Sequence, residues 1–535
     1  MRRFLFASLA LFGAYVLLSF ANNPHAYLGT DTGGKVATLR AMDASNSLDP
    51  DVGYWAKRWD PNGRVHPLYY TVHLGRRWVN ATTLPALIVG SPLYNALGYR
   101  GALVVPMLGA VGCALAAAAL ARRLRPDDDG WLAFWVVGLA SPVLIYALDF
   151  WEHAPGLALM AWGVVLLVDL AGRTRSLWWA VLAGALFGGA ATMRTEAFVY
   201  VFAATAVTCL VRARTELVKA AVMGALVVAG FAVPVAANTA LEHAVLGQSL
   251  RAPRAQDTVT SASGAESTDR IREAITTTIA TTGGADAASI LLGLGIVLAV
   301  GVAAVRRDPR GFYAAAVLFA VRSLDGFGFV PGFLVAAPLG VVGIALGWRR
   351  GPPARVAIAI AVTALPLVWA LQYTGGAGPQ WGGRYVLLTS FLLAVTGIAV
   401  LGDQSRRLRV LAVALAGAVT LFGLGWMHER TNGFARVAER LDARTEPVLI
   451  SRVAHLVREG GGVLDLTRWL TAPSEGDLAK AGAVARAAGA DRVAVVDLAG
   501  RQRPTRFGEY EYRGQFSQVQ LLSGIELRVS VYELR

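Results

Sequence analysis

The sequence is poor in charged side chains. Of its 535 residues only 16% are Asp, Glu, Lys or Arg, whereas 55% are hydrophobic. A soluble domain of this size carries about a quarter charged residues. The hydrophobic residues concentrate in runs of roughly 17–22, long enough to cross a bilayer about 30 Å thick. The composition excludes a soluble fold and predicts a polytopic α-helical membrane protein.

The sequence also has only two cysteines, Cys113 and Cys209, and both lie inside hydrophobic runs. This excludes a disulfide scaffold, and the two residues are expected to be small core side chains. His153 and its neighbouring carboxylates lack the spacing of a defined metal site. We therefore expect no cofactor, with a divalent cation at this cluster as the alternative.

Acidic residues are outnumbered, with 36 Asp and Glu against 50 Lys and Arg and a formal net charge of +14. Such an excess can indicate nucleic-acid binding, but here the arginines form short clusters between hydrophobic runs. Clusters of this kind are typical of cytoplasmic loops. No nucleic-acid partner is predicted. The clusters are Arg122-Arg123-Leu124-Arg125, Arg173-Thr174-Arg175, Arg212-Ala213-Arg214, Arg306-Arg307, Arg349-Arg350 and Arg406-Arg407-Leu408-Arg409.

Placing these clusters in the cytoplasm predicts about thirteen spans and a cytoplasmic N-terminus. Residues Phe4 to Phe20 form the first span, with a cleaved signal peptide as the alternative, and residues 131–148 are predicted to form a later span. Residues 1–425 are predicted to be the transmembrane domain. Within it, 21–99 form the first extracytoplasmic loop, where interleaved aromatics and arginines predict short interfacial helices.

Residues 426–535 have a different composition and are predicted to form a small extracytoplasmic α/β domain. Ser474 is expected to cap a helix over Glu475 to Ala488. The predicted strands are Pro447–Ile450, Val463–Leu466, Arg492–Leu498 and Glu526–Leu534.

With this topology, the most polar turns between spans fall on the extracytoplasmic side. Ionisable groups at membrane depth are costly and usually face a cavity or a partner, so their collection on one side predicts a site. The candidate catalytic residues are Asp31, Asp149 and Glu152. The candidate substrate-binding residues are His153, Arg194, Glu196, Trp381, Arg384 and Tyr385.

These residue types suit the transfer of a sugar from a lipid phosphate. An acceptor hydroxyl gains nucleophilicity from a carboxylate base within hydrogen-bond reach, and Asp31 is assigned that role. A departing phosphate is stabilised by guanidinium groups, here Arg194 and Arg384. Trp381 and Tyr385 are expected to stack on the sugar or to line the lipid tail.

Each assignment has a structural alternative. Asp31 precedes a helical run and is a possible N-cap. Asp149 and Glu152 are possible partners of structural arginines. Arg194 and Arg384 are possible anchors that extend from span ends toward lipid headgroups.

The motifs resemble those of the GT-C superfamily of integral-membrane glycosyltransferases, which includes the family 39 mannosyltransferases and the aminoarabinose transferases of lipid A. The resemblance begins with Asp31 after span one and the acidic motif Asp149 to His153. Met193-Arg194-Thr195-Glu196-Ala197 resembles an Arg-Pro-Glu-Ala turn. Gln380-Trp381-Gly382-Gly383-Arg384-Tyr385 resembles a Trp-Gly-Pro-Arg-Tyr turn, so Thr195 and Gly383 stand where related turns often have proline.

The resemblance covers the layout of residues 1–425. It implies an inverting transferase that uses a polyprenyl-phosphate sugar, with the first-loop aspartate as base and an extracytoplasmic glycan, lipid or protein as acceptor. The Ala-, Gly- and Arg-rich composition suggests a bacterium, hence its cytoplasmic (inner) membrane. The alternatives are a transporter or flippase, for which no internal repeat is visible, and a non-catalytic assembly or sensing protein.

Overall fold

The computed structural model describes residues 2–80, 83–250, 267–281, 287–324, 326–372, 380–522 and 525–535. Most of these residues are helical. The helices in chain order are α1 (Arg2–Ser19), α2 (Thr30–Ala44), α3 (Leu84–Ala102), α4 (Val104–Leu124), α5 (Trp131–Leu139), α6 (Pro142–Ala147), α7 (His153–Ala171), α8 (Trp179–Met193), α9 (Ala197–Ala213), α10 (Leu217–Leu246), α11 (Ser267–Thr278), α12 (Ala287–Arg306), α13 (Arg310–Ser323), α14 (Phe333–Ala336), α15 (Leu339–Leu346), α16 (Pro352–Gln372), α17 (Leu387–Leu401), α18 (Arg406–Asp442), α19 (Leu456–Glu459) and α20 (Glu475–Ala487).

Short strands accompany the helices, and most of them lie in the C-terminal part of the chain. They are β1 (Thr71–Leu74), β2 (Arg77–Asn80), β3 (Ala280–Thr281), β4 (Val330–Pro331), β5 (Val448–Ser451), β6 (Trp469–Thr471), β7 (Arg492–Leu498), β8 (Arg506–Phe507), β9 (Tyr510–Leu522) and β10 (Ile525–Leu534).

Eight helices of the described residues are long and apolar enough to cross a membrane, and three shorter helices are also apolar. The chain is therefore a multi-pass membrane protein, as predicted, but the count of about thirteen spans is not confirmed. One predicted span, 131–148, is two short helices, α5 and α6. The break precedes Pro142, whose ring removes a backbone donor and clashes with the preceding turn.

The chain divides into two compact units. The first comprises Met1–Leu18, Val105–Leu241 and Arg251–Trp426, and the second comprises Ser19–Val104, Glu242–Leu250 and Met427–Arg535. The first loop thus groups with the C-terminal residues. The domain boundary at 425/426 remains a prediction.

The first unit is a helical bundle whose helices approach closely at small residues. Where α15 crosses α17, a Cβ at Gly343 would lie 2.1 Å from the Leu393 carbonyl oxygen. A Cβ at Gly397 would lie 2.0 Å from the carbonyl oxygen of Leu339. Small residues at such crossings let backbones pack in contact, which is how helices associate within membranes.

The second unit contains a six-stranded sheet in the order β6-β5-β7-β10-β9-β8. β5 is parallel to β6 and β7, whereas β10 is antiparallel to β7 and β9. The strand predicted over Arg492–Leu498 is confirmed, and those at β5 and β10 are confirmed to within one residue. The helix α20 is confirmed too, with the Ser474 hydroxyl accepting a hydrogen bond from the Asp477 backbone N–H.

Two features of this sheet differ from the prediction. The predicted strand Val463–Leu466 is wrong, because Val463 closes a turn on Gly460 and Leu466 begins a 3-10 helix. The strand β6 follows that helix. The long strand β9 was not predicted, since its middle residues are exposed and polar and lack the apolar alternation of a half-buried strand.

Both faces of the sheet are covered by residues of the first loop. Successive strand residues point to opposite faces. Leu449 and Val496 join a cluster with Ala37 and the C-terminal part of α18, whereas Ile450 and Val495 join a second cluster with α20. That second cluster also buries Tyr54 and Trp78.

The aromatic stretch of the first loop is therefore part of a protein core. Residues 54–78 contain no helix in the structure; they form turns and the β1–β2 hairpin. The interfacial helices predicted for this stretch are wrong, because large aromatic rings bury more area in the sheet's core than at a surface. The Trp55 indole N–H donates to the Trp469 carbonyl at 2.9 Å, which ties the loop to β6.

Candidate functional site

The nine candidate residues fall in both compact units. Asp31 belongs to the second unit, and the other eight belong to the first. Each group is described within its own unit.

Asp31 lies in the first turn of α2, and its side chain is 37% exposed. The N-cap is Gly29, in extended conformation and with no side-chain cap bond. The capping alternative for Asp31 is therefore wrong. A carboxylate in a first helical turn still gains from the positive end of the helix dipole.

Arg458 is the cation beside this carboxylate. Its Nη2 lies 3.7 Å from Asp31 Oδ1, and its side chain is only 1% exposed. The same Nη2 donates to Asn80 Oδ1 at 3.0 Å. Asn80 is itself held, because its Nδ2 donates to the Tyr69 carbonyl and to Thr71 Oγ1.

Glycines allow α2 to approach this arginine. A Cβ at Gly33 would lie 1.7 Å from the Arg458 carbonyl oxygen, and one at Gly461 would lie 3.1 Å from the Gly33 carbonyl oxygen. A Cβ at Gly462 would lie 1.7 Å from the Tyr27 hydroxyl. The Gly33-Gly34 pair after Asp31 thus fits against the Gly-rich loop after Arg458. The two glycine clusters mark places where backbones approach closely, but they do not identify Arg458 in the sequence.

Aromatic rings surround the same arginine. The Tyr70 ring centroid is 5.4 Å from the Arg458 guanidinium carbon and stacks on His455 at 5.8 Å. Tyr69 meets His455 edge-on. Burial, then the charge of Arg458, lower the pKa of His455 below its usual value, against the opposing effect of Asp31. His455 is therefore neutral at neutral pH.

In the first unit, Arg194 and Glu196 form a buried ion pair. Arg194 Nε donates to Glu196 Oε1 at 2.8 Å, and the two side chains are 10% and 4% exposed. Arg194 Nη2 and Glu196 Oε2 are buried without a hydrogen-bond partner among the described residues. Glu152 adds to the negative field at Arg194. The Arg194 side chain fits against Gly156, where a Cβ would lie 2.8 Å from Arg194 Cγ.

The acidic motif at the start of α7 is buried. Asp149, Glu152 and His153 are all at most 5% exposed. The His153 ring stacks on Tyr146 at 4.9 Å. The Tyr146 hydroxyl donates to the Trp381 carbonyl at 2.8 Å, which connects the acidic motif to the turn at residues 380–385.

The turn at residues 380–385 has a left-handed backbone at its two glycines. Gly382 and Gly383 have φ of 66° and 70°, and a Cβ at Gly382 would lie 2.9 Å from Pro142 Cγ. Proline requires a φ near −65°, so this geometry excludes it at Gly383. Trp381 is fully buried and packs on Trp426 at 5.5 Å.

Tyr385 lies between two arginines. The guanidinium of Arg384 is 4.7 Å from its ring centroid, and that of Arg194 is 5.5 Å away. Its backbone carbonyl accepts from the Tyr200 hydroxyl at 3.3 Å. The first unit thus gathers Arg194, Glu196, Arg384 and Tyr385, two of them on the turn that also carries Trp381.

No group of three or more His, Cys, Asp or Glu side chains suited to a metal ion occurs among the described residues. The expectation that the chain has no cofactor stays a prediction.

Comparison with known proteins places the fold. No protein-family model and no curated protein matches the sequence. Among solved structures, ArnT from Cupriavidus metallidurans bound to undecaprenyl phosphate is 12% identical with a TM-score of 0.50, over 98% of this chain and 97% of that one. ArnT in the apo state is 14% identical with a TM-score of 0.47, over 91% and 92%.

The oligosaccharyltransferase from Archaeoglobus fulgidus in the apo form is 10% identical with a TM-score of 0.44, over 91% of this chain and 69% of that one. At such identities the likeness concerns architecture. The match to ArnT bound to undecaprenyl phosphate extends over nearly the full length of both chains and includes the C-terminal domain. This chain therefore shares the fold of ArnT, which agrees with the fold expected from the resemblance of its motifs to those of GT-C glycosyltransferases.

Proposed function

We propose that this chain is an inverting glycosyltransferase of the bacterial inner membrane. It moves a sugar from a polyprenyl-phosphate donor to an extracytoplasmic glycan, lipid or protein. The observation that carries the proposal is the partly exposed Asp31 carboxylate, in the first turn of the first helix after span one, on a chain with the GT-C fold.

Asp31 acts as the general base. Its carboxylate takes the proton of the acceptor hydroxyl, whose oxygen attacks the anomeric carbon while the bond to the lipid phosphate breaks. A single displacement of this kind inverts the anomeric centre. A positioned base contributes about 10²–10⁴-fold to such a step.

Residues of the first unit bind the donor. The buried Nη2 of Arg194 is a charged donor without a protein partner among the described residues, and Arg384 supplies a second guanidinium. Guanidinium groups match phosphate oxygens and stabilise the charge of a leaving phosphate. Asp149, Glu152, His153 and Glu196 are acceptors suited to sugar hydroxyls.

The donor class is supported by a protein of the same fold. The ArnT structure that matches this chain over nearly its full length was determined with undecaprenyl phosphate bound. A lipid phosphate also suits a multi-pass protein, because such a donor lies in the bilayer.

The test is transfer from radiolabelled polyprenyl-phosphate sugars in membranes that contain the full-length protein. We expect donor-dependent labelling of an envelope fraction, and Asp31→Asn is expected to reduce it at least about 100-fold. Asp43→Asn is the matched control, since Asp43 is an exposed aspartate on the same helix.

Three outcomes contradict parts of the proposal. Labelling that survives Asp31→Asn moves the base to Asp149 or Glu152. Equal loss in Asp31→Asn and Asp43→Asn indicates damage to α2. Donor binding without transfer to any acceptor fraction, together with donor movement across vesicles, favours the flippase alternative.

A further inference from the structure

Arg458 lies beside Asp31, the proposed base, and the proposed function assigns it no role. We propose that Arg458 is a positioning residue for Asp31, whose guanidinium orients the carboxylate and keeps it ionised. This inference rests on the proposed function, in which Asp31 is the base. It links the C-terminal segment directly to the chemistry.

The location of Arg458 is costly without such a role. Its side chain is 1% exposed, and a buried cation is unfavourable unless it is paired and hydrogen-bonded. The structure pairs it with Asp31, which is itself 37% exposed. Arg458 is therefore enclosed by protein, whereas Asp31 is the member of the pair that a substrate can reach.

Arg458 is held independently of Asp31. Its Nη2 donates to Asn80 Oδ1 at 3.0 Å, and Asn80 is fixed by two hydrogen bonds of its own. The 3.7 Å from Nη2 to Asp31 Oδ1 exceeds a hydrogen bond. The arginine thus acts on the carboxylate through its charge, without the bidentate bonds that would compete with an acceptor hydroxyl.

The close approach requires Gly34. A Cβ there would lie 2.1 Å from Asn80 Oδ1 and 2.8 Å from Arg458 Nη2. Any side chain at this position would separate α2 from the arginine. The glycine that follows Asp31 by three residues is therefore explained by the approach of the base to its cation.

Tyr70 is held in a strained conformation over the same arginine. Its φ is 64°, in the left-handed region, which costs a non-glycine residue about 1–3 kcal/mol. Its ring lies 5.4 Å from the Arg458 guanidinium carbon. A ring at this position limits solvent at the cation and so strengthens its effect on the carboxylate.

Other titratable groups lie on the elements around Asp31. His455 is kept neutral at neutral pH by burial and by Arg458. Arg430 is engaged with Glu459 at 3.0 Å. Lys35 follows Asp31 by one helical turn and is buried on α2.

The test is the pH profile of sugar transfer by the full-length enzyme carrying Arg458→Gln or Arg458→Lys. We expect Arg458→Gln to lower kcat about tenfold and to move the acidic limb to higher pH, because the carboxylate loses its stabilising charge. Arg458→Lys keeps that charge, so its limb stays near the wild-type position and its kcat is partly restored.

Two further variants control for damage to the fold. Arg452→Gln removes an equally buried arginine of the same domain, which pairs with Asp497 instead, and is expected to leave the limb unchanged. Asn80→Ala keeps the charge of Arg458 but frees it, so kcat is expected to fall several-fold with the limb unmoved. Asn80→Ala takes the place of Arg458→Gln in the test if the latter does not fold.

The outcomes separate this inference from the proposed function. If Arg458→Gln and Arg458→Lys lose kcat equally with an unmoved acidic limb, or if Asn80→Ala keeps full kcat, Arg458 is a structural residue and the inference is overturned. If Asp31→Asn retains transfer, the assignment of the base itself fails, whatever the Arg458 variants do.

Discussion

Buried charges lie beside both ends of α7, and their hydrogen bonds are satisfied to different degrees. At the C-terminal end, Asp169 accepts from Arg123 at both oxygens and from Arg175 Nε at 2.8 Å. Beside the N-terminal part of α7, where the Arg194 side chain packs on Gly156, Arg194 and Glu196 share a single hydrogen bond. Arg194 Nη2 and Glu196 Oε2 have no hydrogen-bond partner among the described residues.

This difference is consistent with a structural role for the Asp169 cluster and with the donor-binding role proposed for Arg194. A buried polar group without a partner costs about 1–3 kcal/mol, and a bound ligand is one way to satisfy it. The Asp169 cluster needs no ligand, since all its carboxylate oxygens are used. The Arg194 pair retains a charged donor, as expected where a phosphate binds.

The first prediction is Arg194→Gln, with the largest expected effect. We expect donor binding and transfer to fall about 100-fold, because the guanidinium proposed to bind the phosphate is gone. The variant also leaves Glu196 buried and unpaired, at a cost of about 3–5 kcal/mol. Equilibrium binding of radiolabelled donor to purified protein measures the first effect, and thermal unfolding measures the second.

The double variant Arg194→Gln with Glu196→Gln separates the effect on donor binding from the effect on stability. Neither substituted position carries a buried charge, so the stability of the double variant is expected to recover while donor binding stays low. Recovery of both stability and binding would show that Arg194 is only a structural partner of Glu196.

The second prediction is Asp169→Asn at the opposite end. It leaves Arg123 and Arg175 without their carboxylate, and we expect a loss of about 2 kcal/mol in unfolding free energy. Transfer per folded molecule is expected to stay within about twofold of wild type, since charge-assisted bonds here serve only the fold. A tenfold loss of transfer in fully folded protein would contradict the comparison.

The third prediction concerns His66 in the second unit, a further buried side chain whose polar atoms have hydrogen-bond partners. Its Nδ1 accepts from the Leu68 N–H at 3.1 Å, and its Nε2 donates to the Gly53 carbonyl at 3.0 Å. Burial lowers the pKa of His66 from 6.5 to about 4. Between these values the unfolded chain binds the proton and the folded chain does not, so stability falls as the pH drops from about 6.5 toward 4.

The expected loss for His66 is about 3 kcal/mol over that window. Urea unfolding of the detergent-solubilised protein at several pH values measures it. His66→Gln is expected to be less stable at pH 7 and to flatten the dependence. An unaltered slope in this variant would assign the pH dependence to other groups.

The fourth prediction compares single neutral hydrogen bonds at the two ends of α7. Tyr146→Phe removes the bond to the Trp381 carbonyl, and Thr174→Val removes the bond to the Asp169 carbonyl. Each is expected to cost about 1 kcal/mol of stability. Only Tyr146→Phe is expected to lower transfer, by a few-fold, because it loosens the turn that carries Arg384. Equal transfer by the two variants would weaken the distinction between the ends.

The sequence predicted what depends on local pattern. Hydrophobic runs predicted a multi-pass membrane protein, though not the number of its spans, and apolar strands with a Ser474 cap predicted β7, β10 and α20. It did not predict that α5 and α6 are separate helices, since an apolar run is compatible with either.

Long-range packing was beyond the sequence pattern. Arg458 meets Asp31 from the far end of the chain, and no periodicity encodes that pairing. Tyr54 and Trp78 had the composition of a membrane interface, but a sheet from the C-terminal segment buries them. In both cases the partner surface exists only once distant segments have folded together.

The roles proposed for Asp31 as base and Arg194 as donor ligand are tested together by one measurement. Donor binding and single-turnover transfer are followed in purified wild type, Asp31→Asn and Arg194→Gln. We predict that Asp31→Asn binds the polyprenyl-phosphate sugar normally and transfers it at least about 100-fold more slowly, whereas Arg194→Gln loses binding. Normal transfer by Asp31→Asn, or normal donor binding by Arg194→Gln, would contradict it.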